Sequence, residues 1–385
     1  MESFLPFHLP DLGEEELQSV VEVLRSGWLT TGTKTKQFED EFAKRIGATH
    51  AVAVNSCTAA LHLALEAIGI SAGDEVIVPT MTFAATAEVV NYCRARPVLV
   101  DCRSDTLNID VDLLEKAISS KTKAIIPVHY AGQPCEMDRI MELARHHNLK
   151  VIEDAAHALP TRFRGRMIGT IGDITCFSFY ATKTITTGEG GMATTENAEW
   201  ADRMRILSLH GITRDAVNRY SPEGKWYYEI CYPGYKYNLT DLAAAVGIPQ
   251  LEKCDRFGKI RHRYATLYNE AFKNIPEIKV PHVEENIEHA WHLYVIQLEL
   301  DQLRIGRNEM IDLLKKHGIG TSVHFIPLHL HPYYKNTFGF TPDDFPTASR
   351  VFDRIISLPI YPKMTEVDVQ RVIDVVVALI REYRR

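Results

Sequence analysis

The chain has 385 residues, of which 45% are hydrophobic and 24% are charged, and its formal net charge is -7. This composition is typical of a globular protein with room for two domains, and it excludes a disordered chain. The acidic balance offers no basic surface for nucleic acid, and no apolar stretch reaches the roughly 20 residues that a membrane span needs. Seven cysteines without a CxxC pair indicate reduced thiols, so we expect a cytoplasmic protein.

Short apolar runs alternate with helix-like stretches from residue 51 to about residue 195. The runs are AVAVNS, DEVIVPT, RPVLVDC, KAIIPVHY, LKVIEDAA and DITCFSFY. This alternation predicts an α/β fold with a mostly parallel sheet. Because ligands bind beyond the carboxyl ends of parallel strands, the residues that follow these runs are candidate site residues. They are residues 56–59, 80–83, 154–157 and 178–183.

The second half of the chain predicts a loop, a long helix and a smaller domain. Residues 212–237 are rich in Gly, Tyr, Arg and Pro and are interpreted as a long functional loop. Residues 242–275 have helical periodicity, and HAWHLYVIQLEL together with a predicted helix over 366–381 is typical of an α+β domain. We therefore predict a large domain over residues 1–250 and a small C-terminal domain over residues 251–385.

Lys183 lies in FSFYATKTITTGEGG, between a predicted strand and a glycine turn. A partly desolvated lysine has a lowered pKa, and its free amine can attack a carbonyl group to form a Schiff base. This position alone leaves a solvated surface lysine as the alternative. Asp154 ends the VIED strand about thirty residues earlier, and it is either a helix N-cap or a carboxylate that holds the pyridinium proton of a cofactor.

Further candidates for a cofactor site follow other predicted strands. Thr58 and Ala59 open a predicted helix, whose free N-H groups and positive dipole end attract a phosphate, although helix capping explains Thr58 equally well. Ser178 ends the strand before Lys183 and can donate its hydroxyl to the same phosphate. Phe83 can stack on an aromatic ring, or it can belong to the hydrophobic core.

Motifs along nearly the whole chain resemble one known family. They run from GWLTTG through VIEDAAHA and FSFYATKTITTGEGG to GYKYNLTD, HAWH and the SLP of residues 357–359. In this order they resemble the DegT/DnrJ/EryC1/StrS aminotransferases, which use pyridoxal 5'-phosphate and have the aspartate aminotransferase fold (fold type I). The resemblance implies a large domain with a mostly parallel sheet and a smaller α+β C-terminal domain.

The resemblance also implies roles for the residues that match the motifs. Lys183 is implied to be the catalytic lysine, which binds the cofactor and moves the proton. The implied cofactor-binding residues are Asp154 at the pyridine nitrogen, His157 near the ring and its phenolic oxygen, Phe83 on the ring face, and Thr58, Ala59, Ser178 and Asn238 at the phosphate. Asn238 is implied to reach the site from the neighbouring subunit of a homodimer. Trp28, Thr30 and His324 are the implied substrate contacts.

The implied reaction moves the amino group of L-glutamate onto a nucleotide-linked ketosugar and releases 2-oxoglutarate. It passes through the pyridoxamine 5'-phosphate form of the cofactor. GWLTTG, GYKYNLTD and HAWH are most similar to the branch that makes UDP-4-amino-4-deoxy-L-arabinose, which indicates a 4-ketosugar linked to UDP. Phe83 and Tyr180 stand where that branch has Trp and His, so the sugar itself stays open.

Three alternatives accompany this interpretation. A noncatalytic regulator can keep the same fold, but it has no need of both Lys183 and Asp154. An aminotransferase for simple keto acids fixes a substrate carboxylate with an arginine, whereas these motifs match sugar enzymes. A 3-ketosugar acceptor is the third possibility.

His324, His329 and His331 suggest a metal site, but they lack the spacing of a ligand pair, so no metal is predicted.

Overall fold

The computed structural model describes residues 3–212 and 227–385. Its helices are α1 (Glu14–Ser26), α2 (Thr33–Ile46), α3 (Cys57–Ile68), α4 (Ala85–Tyr92), α5 (Val111–Ala117), α6 (Met137–His146), α7 (Ala198–Ser208), α8 (Asp241–Phe272), α9 (Arg307–Lys316), α10 (Pro332–Phe338), α11 (Pro346–Phe352) and α12 (Glu366–Tyr383). None of the helices in these two ranges is both long and apolar enough to cross a membrane. Most of the loop predicted over residues 212–237 lies outside the described residues.

The strands form one large sheet and two small ones. They are β1 (His50–Val54), β2 (Glu75–Pro79), β3 (Arg96–Val100), β4 (Thr122–Ile125), β5 (Lys150–Asp154), β6 (Arg162–Phe163), β7 (Arg166–Met167), β8 (Ile174–Ser178), β9 (Gly191–Thr195), β10 (Ile278–Lys279), β11 (Ile287–Glu288), β12 (Tyr294–Leu298) and β13 (Ile355–Leu358). The large sheet has seven strands in the order β1-β9-β8-β5-β4-β2-β3. Strands β8, β5, β4, β2 and β3 pair in parallel. The predicted α/β fold with a mostly parallel sheet is confirmed.

Helices cover both faces of the large sheet, which explains why its strands are continuous apolar runs. Successive side chains of a strand point to opposite faces. In β1, Val52 and Val54 accordingly belong to the core cluster that includes Leu61 of α3. Ala51 and Ala53 belong to the cluster on the other face, which contains the buried aromatic rings of α2.

The small C-terminal sheet, in the order β10-β12-β13, is antiparallel. Its core includes side chains of β12, β13 and α12, and also Tyr268 and Phe272 of α8. Earlier residues of α8, such as Leu251 and Phe257, belong to a core cluster of the large sheet. Because α8 runs without interruption through residues 250 and 251, the division into domains at that point stays a prediction.

Candidate active site

A cavity of about 420 Å³ lies at the carboxyl ends of the parallel strands. We call it the lysine cavity, because Lys183 lies in its wall. Seven of the residues predicted for the site line this cavity, and they come from five separate segments of the chain. These residues are Thr58, Phe83, Asp154, His157, Ser178, Lys183 and His324. Ala59, Asn238, Trp28 and Thr30 are not among its lining residues.

Lys183 follows β8 in a tight turn, in which its backbone N-H donates to the carbonyl of Tyr180 at 2.9 Å. Within residues 3–212 and 227–385, no hydrogen bond or ion pair is found for its ammonium group. Burial lowers the pKa of Lys183 to about 8, although the nearby Cys57 and Asp154 act in the opposite direction. About a tenth of the lysine is therefore free amine at pH 7, far more than for a solvated lysine, and free amine is what a nucleophilic lysine requires.

Asp154 ends β5, and its buried side chain lines the lysine cavity. Its Oδ2 accepts a hydrogen bond from the Thr86 hydroxyl at 2.8 Å, and Oδ1 accepts one from the Ala156 N-H at 3.1 Å. Burial raises the pKa of Asp154, while these two hydrogen bonds and the charge of Lys183 favour the ionised form. Strand β6, and not a helix, follows β5, so the N-cap alternative is wrong.

The imidazole of His157 is buried beside the rings of His292 and Phe325, whose centroids lie 4.4 Å and 5.8 Å away. Burial lowers the pKa of His157 well below its usual value, so the ring is neutral at physiological pH. Its Nδ1 accepts a hydrogen bond from the Ala131 N-H at 3.3 Å. In a neutral imidazole the other nitrogen then carries the proton, which makes Nε2 a hydrogen-bond donor.

The candidate phosphate-binding groups meet where β1 enters α3. Ser56 is the N-cap of α3, and its hydroxyl accepts a hydrogen bond from the Ala59 N-H at 3.1 Å. The capping alternative for Thr58 is therefore wrong, whereas the predicted phosphate contact of Ala59 involves an N-H that already has a partner. Gly191 permits this close approach of β9, because a Cβ atom there would lie 2.4 Å from the Ser56 carbonyl carbon. Ser178 Oγ accepts from the Tyr180 N-H at 3.3 Å.

Aromatic and histidine side chains line another part of the cavity. Phe83 is 64% exposed, so its alternative as a core residue is wrong, and its ring centroid lies 6.1 Å from that of Phe325. His324 Nδ1 is 2.8 Å from the Ser357 hydroxyl, and burial lowers the pKa of His324 to about 4. The ring of Phe7 stacks on His324 with 5.4 Å between centroids.

Two of the remaining predicted residues line a second cavity, of about 880 Å³. They are Trp28 and Asn238, and both contact Thr31. The indole Nε1 of Trp28 donates to the Thr31 carbonyl at 3.1 Å, and Nδ2 of Asn238 donates to the Thr31 hydroxyl at 2.8 Å. Thr30 lines neither cavity, and its carbonyl accepts a hydrogen bond from the Asp241 N-H at 3.1 Å.

Several residues of the lysine cavity were not among the sequence candidates. They include Phe7, His8, His292 and Phe325. His292 is the last residue of the HAWH motif. The motif was recognised in the sequence, but nothing in it indicated that His292 lines the cavity. Phe7 and His8 carried no local signal, because they reach the cavity through long-range contacts of the N-terminal segment. One such contact is the hydrogen bond from the Leu5 N-H to the Gly318 carbonyl, at 2.8 Å.

This set of groups fits pyridoxal 5'-phosphate. The cavity offers a lysine amine for its aldehyde and a buried carboxylate for its ring nitrogen. Threonine and serine hydroxyls beside a helix N-terminus match a phosphate, and the exposed Phe83 ring matches an aromatic face. The donor set therefore agrees with the cofactor on each of its four functional parts.

Comparisons with known proteins agree with this assignment. MJ1066 of Methanocaldococcus jannaschii, an uncharacterized protein, is 55% identical over 383 residues, which cover 100% of this chain and 99% of that protein. SpsC of Bacillus subtilis, a spore coat polysaccharide biosynthesis protein, is 53% identical over 374 residues, or 97% of this chain and 96% of SpsC. The structure of Spr1654 from Streptococcus pneumoniae, described as a sugar aminotransferase, matches with a TM-score of 0.91, 37% identity and 98% coverage of both chains.

Spr1654 has been solved with both the pyridoxamine and the pyridoxal form of the cofactor. The DegT/DnrJ/EryC1/StrS aminotransferase family itself matches residues 10–377, which is nearly the whole chain. The chain therefore belongs to the DegT/DnrJ/EryC1/StrS aminotransferase family and is a transaminase that uses pyridoxal 5'-phosphate.

Proposed function

We propose that this enzyme transfers the amino group of L-glutamate to the ketone of a UDP-linked 4-ketosugar. The product is a 4-amino sugar nucleotide, which supplies the synthesis of a cell-surface polysaccharide. The relationship to SpsC and Spr1654 supports a sugar acceptor, because their descriptions name polysaccharide biosynthesis and sugar amination. The motifs shared with the UDP-4-amino-4-deoxy-L-arabinose branch support UDP and the 4-position.

The observation that carries this proposal is the chemistry of the lysine cavity. Its charged lining residues are Asp154, Lys183 and Glu189, and no arginine is found among the described lining residues. Its four histidines are buried enough to have lowered pKa values and to be neutral. A simple keto acid lacks a guanidinium partner there, whereas the hydroxyl groups of a sugar meet neutral donors and acceptors. The amino donor also lacks this partner, so its identity needs its own test.

Each site residue has a defined task in the proposed reaction. Pyridoxal 5'-phosphate, when bound, acts as the electron sink and carries the amino group between the two half-reactions. The Nζ atom of Lys183 holds the cofactor and then moves a proton to or from the substrate carbon, for which a pKa of about 8 is suited. Asp154 keeps the ring nitrogen protonated, and the hydroxyls of Thr58 and Ser178 bind the phosphate. His157 lies near the cofactor ring and its phenolic oxygen, where its Nε2 donates a hydrogen bond.

We further propose that the enzyme acts as a homodimer in the cytoplasm. Asn238 lines the second cavity of its own chain and not the lysine cavity, which fits a residue that serves the site of a neighbouring subunit. All seven cysteines lie in the described residues and are free thiols, which suits a reducing compartment. Trp28 lies beside Asn238 in the same cavity and is proposed to contact substrate across this interface.

The first test is the absorbance spectrum of the enzyme loaded with pyridoxal 5'-phosphate. We expect a visible band that bleaches when L-glutamate is added and returns when a UDP- or dTDP-linked 4-ketosugar follows. The variant Lys183→Ala should bind the cofactor without this band and lose turnover. If L-glutamate leaves the band unchanged, the proposal that L-glutamate is the amino donor is wrong. If the band returns with simple keto acids but with no ketosugar, the proposal of a ketosugar acceptor is wrong.

A further inference from the structure

Two histidines that line the lysine cavity each have a ring nitrogen with no hydrogen-bond partner within the described residues. These nitrogens are Nε2 of His8 and Nδ1 of His292, and both atoms are buried. Both residues line the lysine cavity, and His292 is only 5% exposed. Buried polar atoms in native proteins are almost always paired with protein, water or ligand. Because both residues line the cavity that contains Lys183, a ligand bound there can supply the missing partners.

Both imidazoles are held in the neutral form. Burial lowers the pKa of His8 to about 3 and that of His292 well below its usual value. The positive charges of Arg261 and Lys183 act in the same direction on both rings, and His157 and His324 add to the effect on His292. Neutral imidazoles hydrogen-bond to hydroxyl groups, but they supply no charge to neutralise a carboxylate or a phosphate.

Hydrogen bonds to the backbone hold the His292 segment in the wall of the cavity. The Arg261 guanidinium donates to the backbone carbonyl of His292 at 3.1 Å and to that of Ile360 at 2.6 Å. The next N-H along the chain, that of Leu293, donates to the carbonyl of Ala131 at 3.3 Å. The His8 side chain lies close to the backbone of Ala181, two residues before Lys183. A ligand that reacts at Lys183 therefore passes close to both rings.

We infer that His8 and His292 form a subsite that binds hydroxyl groups of the acceptor sugar. This inference rests on the proposed function, since it assigns the residues that recognise the proposed class of acceptor. L-glutamate carries no hydroxyl group, so the half-reaction with the donor does not need the subsite. Loss of either ring should therefore weaken the ketosugar half-reaction selectively.

The experiment compares two kinds of substitution at each histidine. The variants His8→Leu and His292→Leu remove the hydrogen-bonding nitrogen. His8→Gln and His292→Asn keep one, because the amide of Gln reaches as far as Nε2 and the amide of Asn coincides with Nδ1. The matched control is His289→Leu, since His289 belongs to the same HAWH motif and stacks on Trp291 at 4.1 Å but does not line the lysine cavity.

The measurements are the single-turnover rate with L-glutamate and, separately, kcat and KM with the UDP-linked 4-ketosugar that the wild-type enzyme accepts. Each Leu variant should lose about tenfold in kcat/KM for the ketosugar, which corresponds to one hydrogen bond, mainly through KM. The rate with L-glutamate should change less than about threefold, and the Gln and Asn variants should recover most of the loss. His289→Leu should match the wild type in both half-reactions.

Equal losses in the two half-reactions, or an unchanged ketosugar half-reaction, overturn the assignment of the subsite. Since His292→Leu changes a buried position, its visible band and melting temperature are compared with those of the wild type, and His8→Leu tests the same inference at a less buried position. If the wild-type enzyme aminates no ketosugar, the proposed function is wrong and the subsite falls with it. If the wild type reacts and the Leu variants match it, only the subsite is wrong.

Discussion

The hydroxyl of Thr86 donates a hydrogen bond of 2.8 Å to Oδ2 of Asp154, and both side chains are buried. The Thr86 hydroxyl is also 2.8 Å from that of Thr82. Burial raises the pKa of Asp154, and the hydrogen bond from Thr86 is the largest contribution in the opposite direction. Thr86 thus helps to keep ionised the carboxylate that is proposed to pair with the cofactor ring nitrogen.

The variant Thr86→Val should therefore weaken cofactor binding. The valine keeps the shape of threonine but leaves Oδ2 without this donor, so the pKa of Asp154 rises and less of it is ionised at neutral pH. We expect the dissociation constant of pyridoxal 5'-phosphate to rise about tenfold and the free energy of unfolding to fall by about 1 kcal/mol. The loss of affinity should grow as the pH is lowered, because protonation of Asp154 then becomes more complete.

A matched control separates this electrostatic effect from a loss of stability. Thr194 lies in β9, where its buried hydroxyl donates to the Gly169 carbonyl at 3.0 Å. Thr194→Val should destabilise the protein by a similar amount and leave the cofactor affinity unchanged. Fluorescence titrations with the cofactor and urea unfolding curves give the two quantities. Equal cofactor affinities for the two variants are the result that contradicts the role of Thr86.

The pKa of Lys183 predicts how fast the cofactor-free protein captures pyridoxal 5'-phosphate. Only the unprotonated amine attacks the aldehyde, so the capture rate should rise with pH and level off above the pKa of about 8. Because Asp154 raises the pKa of Lys183, the variant Asp154→Asn should move the midpoint to lower pH. Stopped-flow absorbance across this pH range gives both midpoints. A rate that still increases steeply above pH 10 indicates a solvated lysine instead.

The sequence predicted the sheet because its central strands are buried on both faces and are therefore continuous apolar runs. Strand β9 was missed, since Gly191 and its small neighbours form no such run. The capping alternative placed the N-cap of α3 two residues too late, at Thr58, because Ser56 and Thr58 are equally good caps in the sequence. Only the observed hydrogen bond between Ser56 and Ala59 distinguishes them.

The positions of Asp154 and Lys183 at the lysine cavity were predictable, because a motif follows a strand at each of them. Thr86 and His8 were not, because each acts through contacts between segments that are far apart in the chain. The partner of Thr86 lies 68 residues away, and the segment that contains His8 is held near residue 318. Local periodicity carries no information about such contacts. For the same reason, the sequence alone does not show that Asn238 and Lys183 line different cavities.

The burial of His289 predicts that the free energy of unfolding falls in acid for a reason that is independent of catalysis. Burial lowers its pKa from 6.5 to about 3, so between these values the unfolded chain binds a proton that the folded protein does not. The free energy of unfolding should therefore fall as the pH decreases from about 6.5 toward 3. His289→Leu removes this contribution and should make the decline shallower by up to about 1.4 kcal/mol per pH unit. Urea unfolding curves at several pH values measure both slopes, and parallel declines contradict the prediction.

The position of Asn238 predicts that its contribution to the phosphate site is made to the neighbouring subunit. Asn238→Ala should weaken cofactor binding, and Thr31→Val is the matched control. The latter removes the hydrogen bond that Asn238 makes within its own chain. Thr31→Val should keep the cofactor affinity within about threefold of wild type, since that bond is not part of the proposed phosphate site.

Mixing Lys183→Ala with Asn238→Ala, at a cofactor concentration too low to load the Asn238→Ala enzyme, tests this sharing of sites directly. In a homodimer with shared sites, each mixed dimer combines both lesions in one active site and leaves the other intact. About half of the dimers are mixed after reversible dissociation of equal amounts, so about a quarter of the wild-type activity should return. If Asn238 instead serves its own chain, each subunit stays defective and the activity does not exceed that of the separate variants. Dissociation and reassociation of the dimer are followed by size-exclusion chromatography before turnover is measured.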